Sequence, residues 1–365
     1  REDRYQPPSR GPVAAHRDRH APGMIVFDAN ALMMPVECNV RVFEELDRVA
    51  ADLTDVGADL SDVGADEDDG FDRVVPRAVV TELERLASGA GEAATAAGVP
   101  ATGAVEVGRP ARAILEYVDD RGVDLVALPE MFAVGYFAFD SYDRAAEGLD
   151  GGTLGRLADA AADHDIGVLA GSIVEDLAAS RAAGFDVPAE DGYANTSVFL
   201  DRDGARRGVY RKQHLFGYGS AEAEMLEPGE SLPTIEFEDH VVGTTTCYDL
   251  RFPAPYRRLV DAGATLVLVP SAWPYPRVEH WKLFGRARAV ENLLYVGAVN
   301  GVGTFEDAEL LGRSAVYDPW GTTLASAGDD AALVTAEIDR DRVEDVRGEF
   351  PALDDRRYAT PEERR

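Results

Sequence analysis

The chain is poor in cysteine and in long apolar runs, and each shortage excludes a class of protein. Only two of its 365 residues are cysteines, Cys38 and Cys247, and they show no pairing pattern. A disulfide-stabilised secreted domain is therefore excluded, and a reducing compartment is indicated. No apolar run reaches the roughly 18 residues of a transmembrane helix, and no signal-peptide core is evident. We therefore expect a cytoplasmic protein without a membrane partner.

Basic residues are scarce beside acidic ones. The sequence has 36 lysines and arginines against 67 aspartates and glutamates, a net charge of −31 that is spread along the chain. Such a charge repels nucleic acid and anionic membranes, so we expect no nucleic-acid partner. Dispersed acidic residues with arginine in place of lysine are typical of halophilic, acidic proteomes. In molar salt, charge repulsion is screened within about 3 Å.

Lysine is the scarcest basic residue, because Lys212 and Lys282 are the only two in the chain. Lys212 lies between apolar flanks in residues 210–216, after a predicted strand. A compact ammonium, rather than a planar guanidinium, is therefore indicated at this position. The alternative is a solvated charge at the end of a strand.

Cys247 follows a run that is typical of a buried strand, residues 241–247, and precedes a sharp turn into a helix over residues 248–260. A thiol at such an elbow faces free backbone N–H groups, which favour a thiolate and a developing oxyanion. The alternative is that Cys247 is a small buried hydrophobe.

Glu130 follows another apolar run, residues 123–128, and Pro129. Proline cannot continue a central strand, so the Glu130 carboxylate is predicted at the carboxyl edge of a sheet, where α/β proteins bind ligands. A carboxylate, an ammonium and a thiol suffice to attack an amide or a nitrile. Glu130 would take and return the thiol proton, while Lys212 would lower the thiol pKa and neutralise the oxyanion.

Three segments of this chain resemble the signature segments of the nitrilase superfamily of carbon–nitrogen hydrolases, which centre on Glu, Lys and Cys in that order. They read Leu128-Pro129-Glu130-Met131-Phe132, Tyr210-Arg211-Lys212-Gln213-His214-Leu215-Phe216 and Cys247-Tyr248-Asp249-Leu250-Arg251-Phe252-Pro253, within a resemblance over about residues 101–345. The resemblance implies an α/β fold, a four-layer α-β-β-α sandwich of two mixed sheets. It also implies a homodimer or higher homo-oligomer that needs no cofactor and no metal.

The sequence around the cysteine is similar to that of the ω-amidase-like branch. This similarity implies hydrolysis of a small linear amide by water, through a Cys247 thioester, with release of ammonia or an amine. The superfamily also uses a second glutamate, which matches Glu222, although a two-residue slip leaves Glu224 open.

Three further residues are expected to contact the oxyanion or the substrate: Tyr248, Arg251 and Trp273. Arg251 suits a bidentate contact with a substrate carboxylate, with structural pairing to Asp249 or to the surroundings of Glu130 as the alternative. Trp273 is expected to wall a substrate pocket, with ordinary loop packing as its alternative.

The N-terminal part has a different character. Residues 1–23 are predicted to be a disordered leader, and residues 24–98 resemble the truncated first half of a PIN-type nuclease domain. In that resemblance Asp28 matches one metal-binding acid and Glu82 or Glu84 a second. The remaining acids of a nuclease site are missing, so we expect a non-catalytic remnant. The hydrolase domain is predicted over residues 99–350 and a tail over residues 351–365.

The junction between these parts leaves the first strand of the hydrolase uncertain. Residues 91–107 are rich in glycine and alanine, so either residues 94–99 form a degraded strand or residues 24–28 replace it in the sheet. Two other functions stay open on this ground. One is a catalytically inactive fusion that acts as a binding or scaffold module, and the other is a PIN-type ribonuclease acting through Asp28.

Overall fold

The computed structural model describes residues 23–28, 110–305 and 308–357. The first half of the fold contains β1 (Gly23–Asp28), α1 (Pro110–Arg121), β2 (Leu125–Ala127), α2 (Tyr142–Ala145), α3 (Gly152–His164), β3 (Gly167–Asp176), α4 (Leu177–Ala182), β4 (Tyr193–Leu200), β5 (Arg206–Arg211) and α5 (Glu222–Met225). A 3-10 helix, Phe139–Ser141, precedes α2.

The second half contains β6 (Thr234–Phe237), β7 (His240–Thr244), a 3-10 helix (Cys247–Arg251), α6 (Pro253–Asp261), β8 (Leu266–Ser271), α7 (Val278–Asn292), β9 (Tyr295–Asn300), β10 (Val302–Phe305), β11 (Ala308–Leu311), β12 (Ala315–Tyr317), β13 (Thr323–Ser326), β14 (Leu333–Ile338) and α8 (Arg340–Glu349).

Two mixed six-stranded sheets form the centre of the molecule. Their strand orders are β14-β1-β2-β3-β4-β5 and β13-β12-β9-β8-β7-β6, and β10 and β11 form a separate hairpin. Apolar side chains of both sheets share one buried cluster, in which Leu125, Leu169 and Phe199 meet Val242, Leu268 and Val299. Helices cover the outer faces through two further apolar clusters. The predicted four-layer α-β-β-α sandwich is therefore confirmed.

β1 lies inside the first sheet and completes it. It pairs antiparallel with β14 along its whole length and parallel with β2 from Ile25 to Phe27. Residues 24–28 thus occupy the position of the hydrolase's first strand, which was one of the two alternatives raised by the sequence. Without them, β2 and β14 would each expose an unpaired edge.

The other N-terminal predictions lie outside the described residues. They are the alternative strand over residues 94–99, the acidic side chains of Glu82 and Glu84, and the leader predicted over residues 1–23, except Gly23, which begins β1 and so does not belong to a disordered leader. No helix in the described part of the chain is long and apolar enough to cross a membrane.

Candidate active site

The four predicted catalytic residues come from four chain segments that meet beside the ends of strands. Glu130 follows β2, Lys212 follows β5 directly, Glu222 opens α5, and Cys247 opens the 3-10 helix after β7. Cys247 has a φ of 47°, in the left-handed region that few non-glycine residues adopt. Such a backbone conformation is a strained turn, and it is characteristic of functional sites.

The Lys212 ammonium lies between two carboxylates. Its Nζ donates to Glu130 Oε1 at 2.8 Å and to Glu222 Oε1 and Oε2 at 2.8 and 2.9 Å. All three side chains are fully buried. Glu224 is exposed, so the structure brings Glu222 to Lys212 and leaves its competitor in solvent.

Two residues that the sequence analysis did not identify hold this ion cluster in place. Asn195 Nδ2 donates to Glu130 Oε1 at 2.8 Å and to Glu222 Oε1 at 2.9 Å. The Tyr136 hydroxyl donates to Glu222 Oε2 at 3.0 Å, and its ring centroid lies 5.2 Å from Lys212 Nζ. A signal existed for Asn195, because asparagine is disfavoured in strands and this one lies in a strand that is otherwise buried and mostly apolar or β-branched.

Full burial rules out the alternative that Lys212 is a solvated charge at the end of a strand. Burial lowers its pKa, but the charges of Glu130 and Glu222 outweigh burial and hold that pKa well above its ordinary value. Burial, reinforced by the charge of Glu222, raises the pKa of Glu130, although Lys212 opposes the rise. A carboxyl with a raised pKa is suited to take up a proton near neutral pH.

The thiol of Cys247 is only 8% exposed. Burial raises the pKa of this thiol well above its ordinary value, the charge of Glu130 raises it further, and Lys212 opposes both. The ammonium lowers the thiol pKa as expected, but burial and Glu130 outweigh it, so in the free protein that pKa stays above its ordinary value. Glu130 is the carboxylate whose charge acts on the thiol, so it is the group placed to remove the thiol proton.

Cys247 lines an open cleft of about 340 Å³, a volume that includes space open to solvent. Its walls include all three residues expected to contact substrate, Tyr248, Arg251 and Trp273. The remaining lining is mostly aromatic, and the surface that it exposes is almost entirely apolar; the full lining is Tyr136, Phe137, Phe216, Cys247, Tyr248, Arg251, Ala272, Trp273, Pro274 and Arg277. Its charged members are two arginines, although the chain as a whole is strongly acidic.

Arg251 is held by aromatic rings and not by Asp249, so the alternative of structural pairing between the two is wrong. Its guanidinium carbon lies 5.0 Å from the Trp273 ring centroid and 5.7 Å from that of Tyr248. One Nη donates to His280 Nδ1 at 3.2 Å. Within the described residues, neither Arg251 nor Arg277 pairs with a carboxylate, which leaves both charges available to a ligand. No group of three or more histidine, cysteine or acidic side chains in that part of the chain is arranged to hold a metal.

Comparison with known proteins places this geometry in a family. Residues 93–348 match the carbon-nitrogen hydrolase family, and residues 25–58 match a PIN-like domain. A 2-oxoglutaramate amidase of Paenarthrobacter nicotinovorans is 34% identical over 238 residues, which cover 64% of this chain and 78% of that protein. The human omega-amidase NIT2 is 30% identical over 247 residues, covering 65% and 84%.

A solved structure shares the fold. Nit3 of Saccharomyces cerevisiae, a member of branch 10 of the nitrilase superfamily, superposes with a TM-score of 0.64 and 22% identity. The superposition covers 94% of this chain and 100% of that one. On the family match, the chain belongs to the carbon-nitrogen hydrolases of the nitrilase superfamily and is an enzyme that hydrolyses amides.

Proposed function

We propose that the protein is an ω-amidase-like enzyme, which hydrolyses the terminal amide of a small linear substrate through a thioester on Cys247. One observation carries the proposal: Cys247 and Ala272 line the same cleft, and the Ala272 N–H donates to Oε2 of the buried Glu130, which also binds the Lys212 ammonium. Base, nucleophile and cation are thus gathered at one site before any substrate arrives.

In the proposed first half-reaction, Glu130 takes the thiol proton while Sγ attacks the amide carbonyl carbon. The carbonyl oxygen becomes an oxyanion, which the Lys212 ammonium stabilises. The carbon–nitrogen bond then breaks, Glu130 returns its proton to the leaving nitrogen, and ammonia departs from a thioester. In the second half-reaction Glu130 takes a proton from water, whose oxygen attacks the thioester carbon. The acid leaves, and the thiol is restored.

The roles of the other buried groups follow from their contacts. Glu222 binds Lys212 through both of its oxygens, so it orients the ammonium and offsets the cost of burying it. Asn195 and Tyr136 hold the two carboxylates in place. Tyr248 and Trp273 form walls of the cleft.

A carboxylate on the substrate would suit the cleft. Arg251 and Arg277 carry the charge of its lining, and no acidic side chain is part of that lining. A guanidinium binds a carboxylate in a bidentate, charge-assisted manner. Relatives named for 2-oxoglutaramate, an ω-amide that bears a carboxylate, agree with this chemistry.

The test is ammonia release in molar salt from 2-oxoglutaramate, from succinamate and from uncharged butyramide. We expect the two carboxylated amides to have the higher kcat/KM and Cys247→Ala to release no ammonia from any of them. Arg251→Gln should raise KM for the carboxylated amides by about tenfold and leave butyramide unchanged, since one charge-assisted contact is worth roughly 1.5 kcal/mol. Full ammonia release by Cys247→Ala would refute the mechanism, and equal KM effects on all three amides would refute the role of Arg251.

A further inference from the structure

Asp249 is a fully buried carboxylate, two residues beyond Cys247, that takes no part in the proposed chemistry. It accepts four hydrogen bonds. Oδ2 accepts from the Tyr210 hydroxyl at 2.6 Å and from the Thr246 N–H at 2.9 Å. Oδ1 accepts from the His214 backbone N–H at 3.0 Å, and His214 Nδ1 lies 2.6 Å away. Because an ionised carboxylate only accepts, that ring nitrogen carries the proton.

The donors come from both catalytic segments. Tyr210 and His214 flank Lys212, each two residues away, whereas Thr246 directly precedes Cys247. The Thr246 side chain in turn accepts from the Asp249 backbone N–H, which closes a capping box at the start of the 3-10 helix. One carboxylate therefore joins the turn that carries the thiol to the segment that carries the ammonium.

Local structure alone holds these two segments weakly. Cys247 begins a 3-10 helix of five residues with a φ of 47°, and Lys212 lies just beyond the last residue of β5. Short 3-10 helices have poor hydrogen-bond geometry, and left-handed backbone persists only where its surroundings enforce it. The hydrogen bonds of Asp249 hold both segments, the turn that carries Cys247 and the segment that carries Lys212.

We propose that Asp249, acting through His214, is a positioning residue that fixes the distance between the Cys247 thiol and the Lys212 ammonium. The inference rests on the proposed roles of those two groups. Without the hydrogen bonds of Asp249, the distance between the ammonium and the thiol is no longer fixed. A displacement of about 1 Å costs on the order of 100-fold in rate. Substrate binding in the cleft uses other residues, so the loss falls on kcat and not on KM.

His214 has a second contact that allows a decisive test. Its ring stacks on Phe252, with centroids 3.8 Å apart and planes 10° apart. His214→Asn keeps a side-chain N–H that can donate to Asp249 but removes the stacked ring. His214→Phe keeps the stacked ring but removes the donor. If His214 acts through its hydrogen bond to Asp249, the Asn variant stays active. If His214 acts only through packing on Phe252, the Phe variant stays active.

The experiment compares kcat, KM and the fraction of Cys247 trapped as thioester by mass spectrometry, with succinamate as probe. We expect Asp249→Asn to lower kcat on the order of 100-fold with KM nearly unchanged. His214→Phe should lower kcat by at least tenfold, and His214→Asn by less than threefold. Asp318→Asn is the matched control, because Asp318 is also buried and accepts from the backbone N–H groups of Trp320 and Thr322 in a turn remote from the cleft.

Each result has one meaning. Equal activity of the two His214 variants, or higher activity of the Phe variant, overturns the positioning role, and so does a loss confined to KM. If Asp249→Asn fails to fold while its control folds, the two His214 variants still decide the question. If the wild-type protein forms no thioester on Cys247, the proposed function itself is refuted, whatever the activities of the variants.

Discussion

The Nζ of Lys212 lies 2.8 Å from Oε1 of Glu130, and neither side chain is exposed to solvent. Two carboxylates surround this single ammonium, so the cluster of Glu130, Lys212 and Glu222 carries a formal charge of −1 in the protein interior. Burying such a cluster costs desolvation free energy, so its presence in the interior points to a role in catalysis rather than in stability.

Lys212→Arg should abolish most turnover although it keeps the charge. A guanidinium is larger and planar, so it fits neither the site between the two carboxylates nor the place of the oxyanion. We expect a loss on the order of 10²–10³ in kcat. The control is Lys282→Arg, because Lys282 is half exposed and, among the residues that the structure describes, pairs only with Glu279, at 3.5 Å. Near-normal turnover of Lys212→Arg would show that Lys212 has only a structural role.

Lys212→Met should also destabilise the fold. Lys212 is fully buried, so without it Glu130 and Glu222 would remain buried without their cation. We expect a fall of about 3–5 kcal/mol in the free energy of unfolding. Urea denaturation in constant salt measures it, and an unchanged midpoint would contradict the buried cluster.

Glu130 sets the acid side of the pH–rate profile. Burial and the charge of Glu222 raise its pKa, and the base must be ionised to accept the thiol proton. Activity should therefore be lost as pH falls through a value above the ordinary glutamate pKa of about 4.3. Uncharged butyramide is the substrate of choice, because it does not titrate. An acid limb at or below that ordinary value would argue against Glu130 as the base.

Replacement of Glu130 should speed the alkylation of Cys247, although it abolishes turnover. The negative charge of Glu130 raises the thiol pKa, so Glu130→Gln leaves Lys212 to lower it. In a Cys38→Ser background, we expect slow labelling by iodoacetamide near neutral pH and faster labelling in Glu130→Gln, which hydrolyses no amide. Slower labelling of Glu130→Gln would show that the charge of Glu130 does not hold the thiol protonated.

His240 gives a stability that depends on pH. It is buried, and burial, with the charge of Arg340, lowers its pKa to about 4. An unfolded histidine titrates near 6.5, so between these values the unfolded chain binds more protons. Stability is thus lost as pH falls from about 6.5 to 4, by at most roughly 3 kcal/mol. The difference in unfolding free energy between wild type and His240→Gln should shrink over that interval, and a constant difference would contradict the pKa shift.

β1 should be required for a stable hydrolase. Val26→Pro removes a backbone donor from the middle of a strand that pairs on both sides. We expect a loss of about 2–4 kcal/mol in unfolding free energy, with activity lost at correspondingly lower temperature. Glu190→Pro, in an exposed loop, is the control. If both variants unfold like the wild type, residues 23–28 contribute no strand to the sheet in solution.

Much of the fold was predictable, because long apolar runs decide their own secondary structure. The apolar run over residues 295–300 predicts a strand, and it forms β9 with the same bounds. Short or half-exposed strands such as β6, β10 and β13 give no such signal, since their alternation is too brief to be distinguished from a loop. The division into domains at residues 24, 99 and 351 stays a prediction, as does assembly into a homo-oligomer.

The sequence by itself determined the reacting groups, because a scarce lysine, a scarce cysteine and a Pro-Glu strand end each stand out from their surroundings. It also indicated the layered α/β class, through the resemblance of its three segments to the nitrilase superfamily. Only the tertiary structure decided which glutamate faces Lys212, which residues hold the two carboxylates, and that β1 closes the sheet. It also decided the protonation of the thiol. Burial and the distances between charges set these properties, and both arise from segments far apart in the chain.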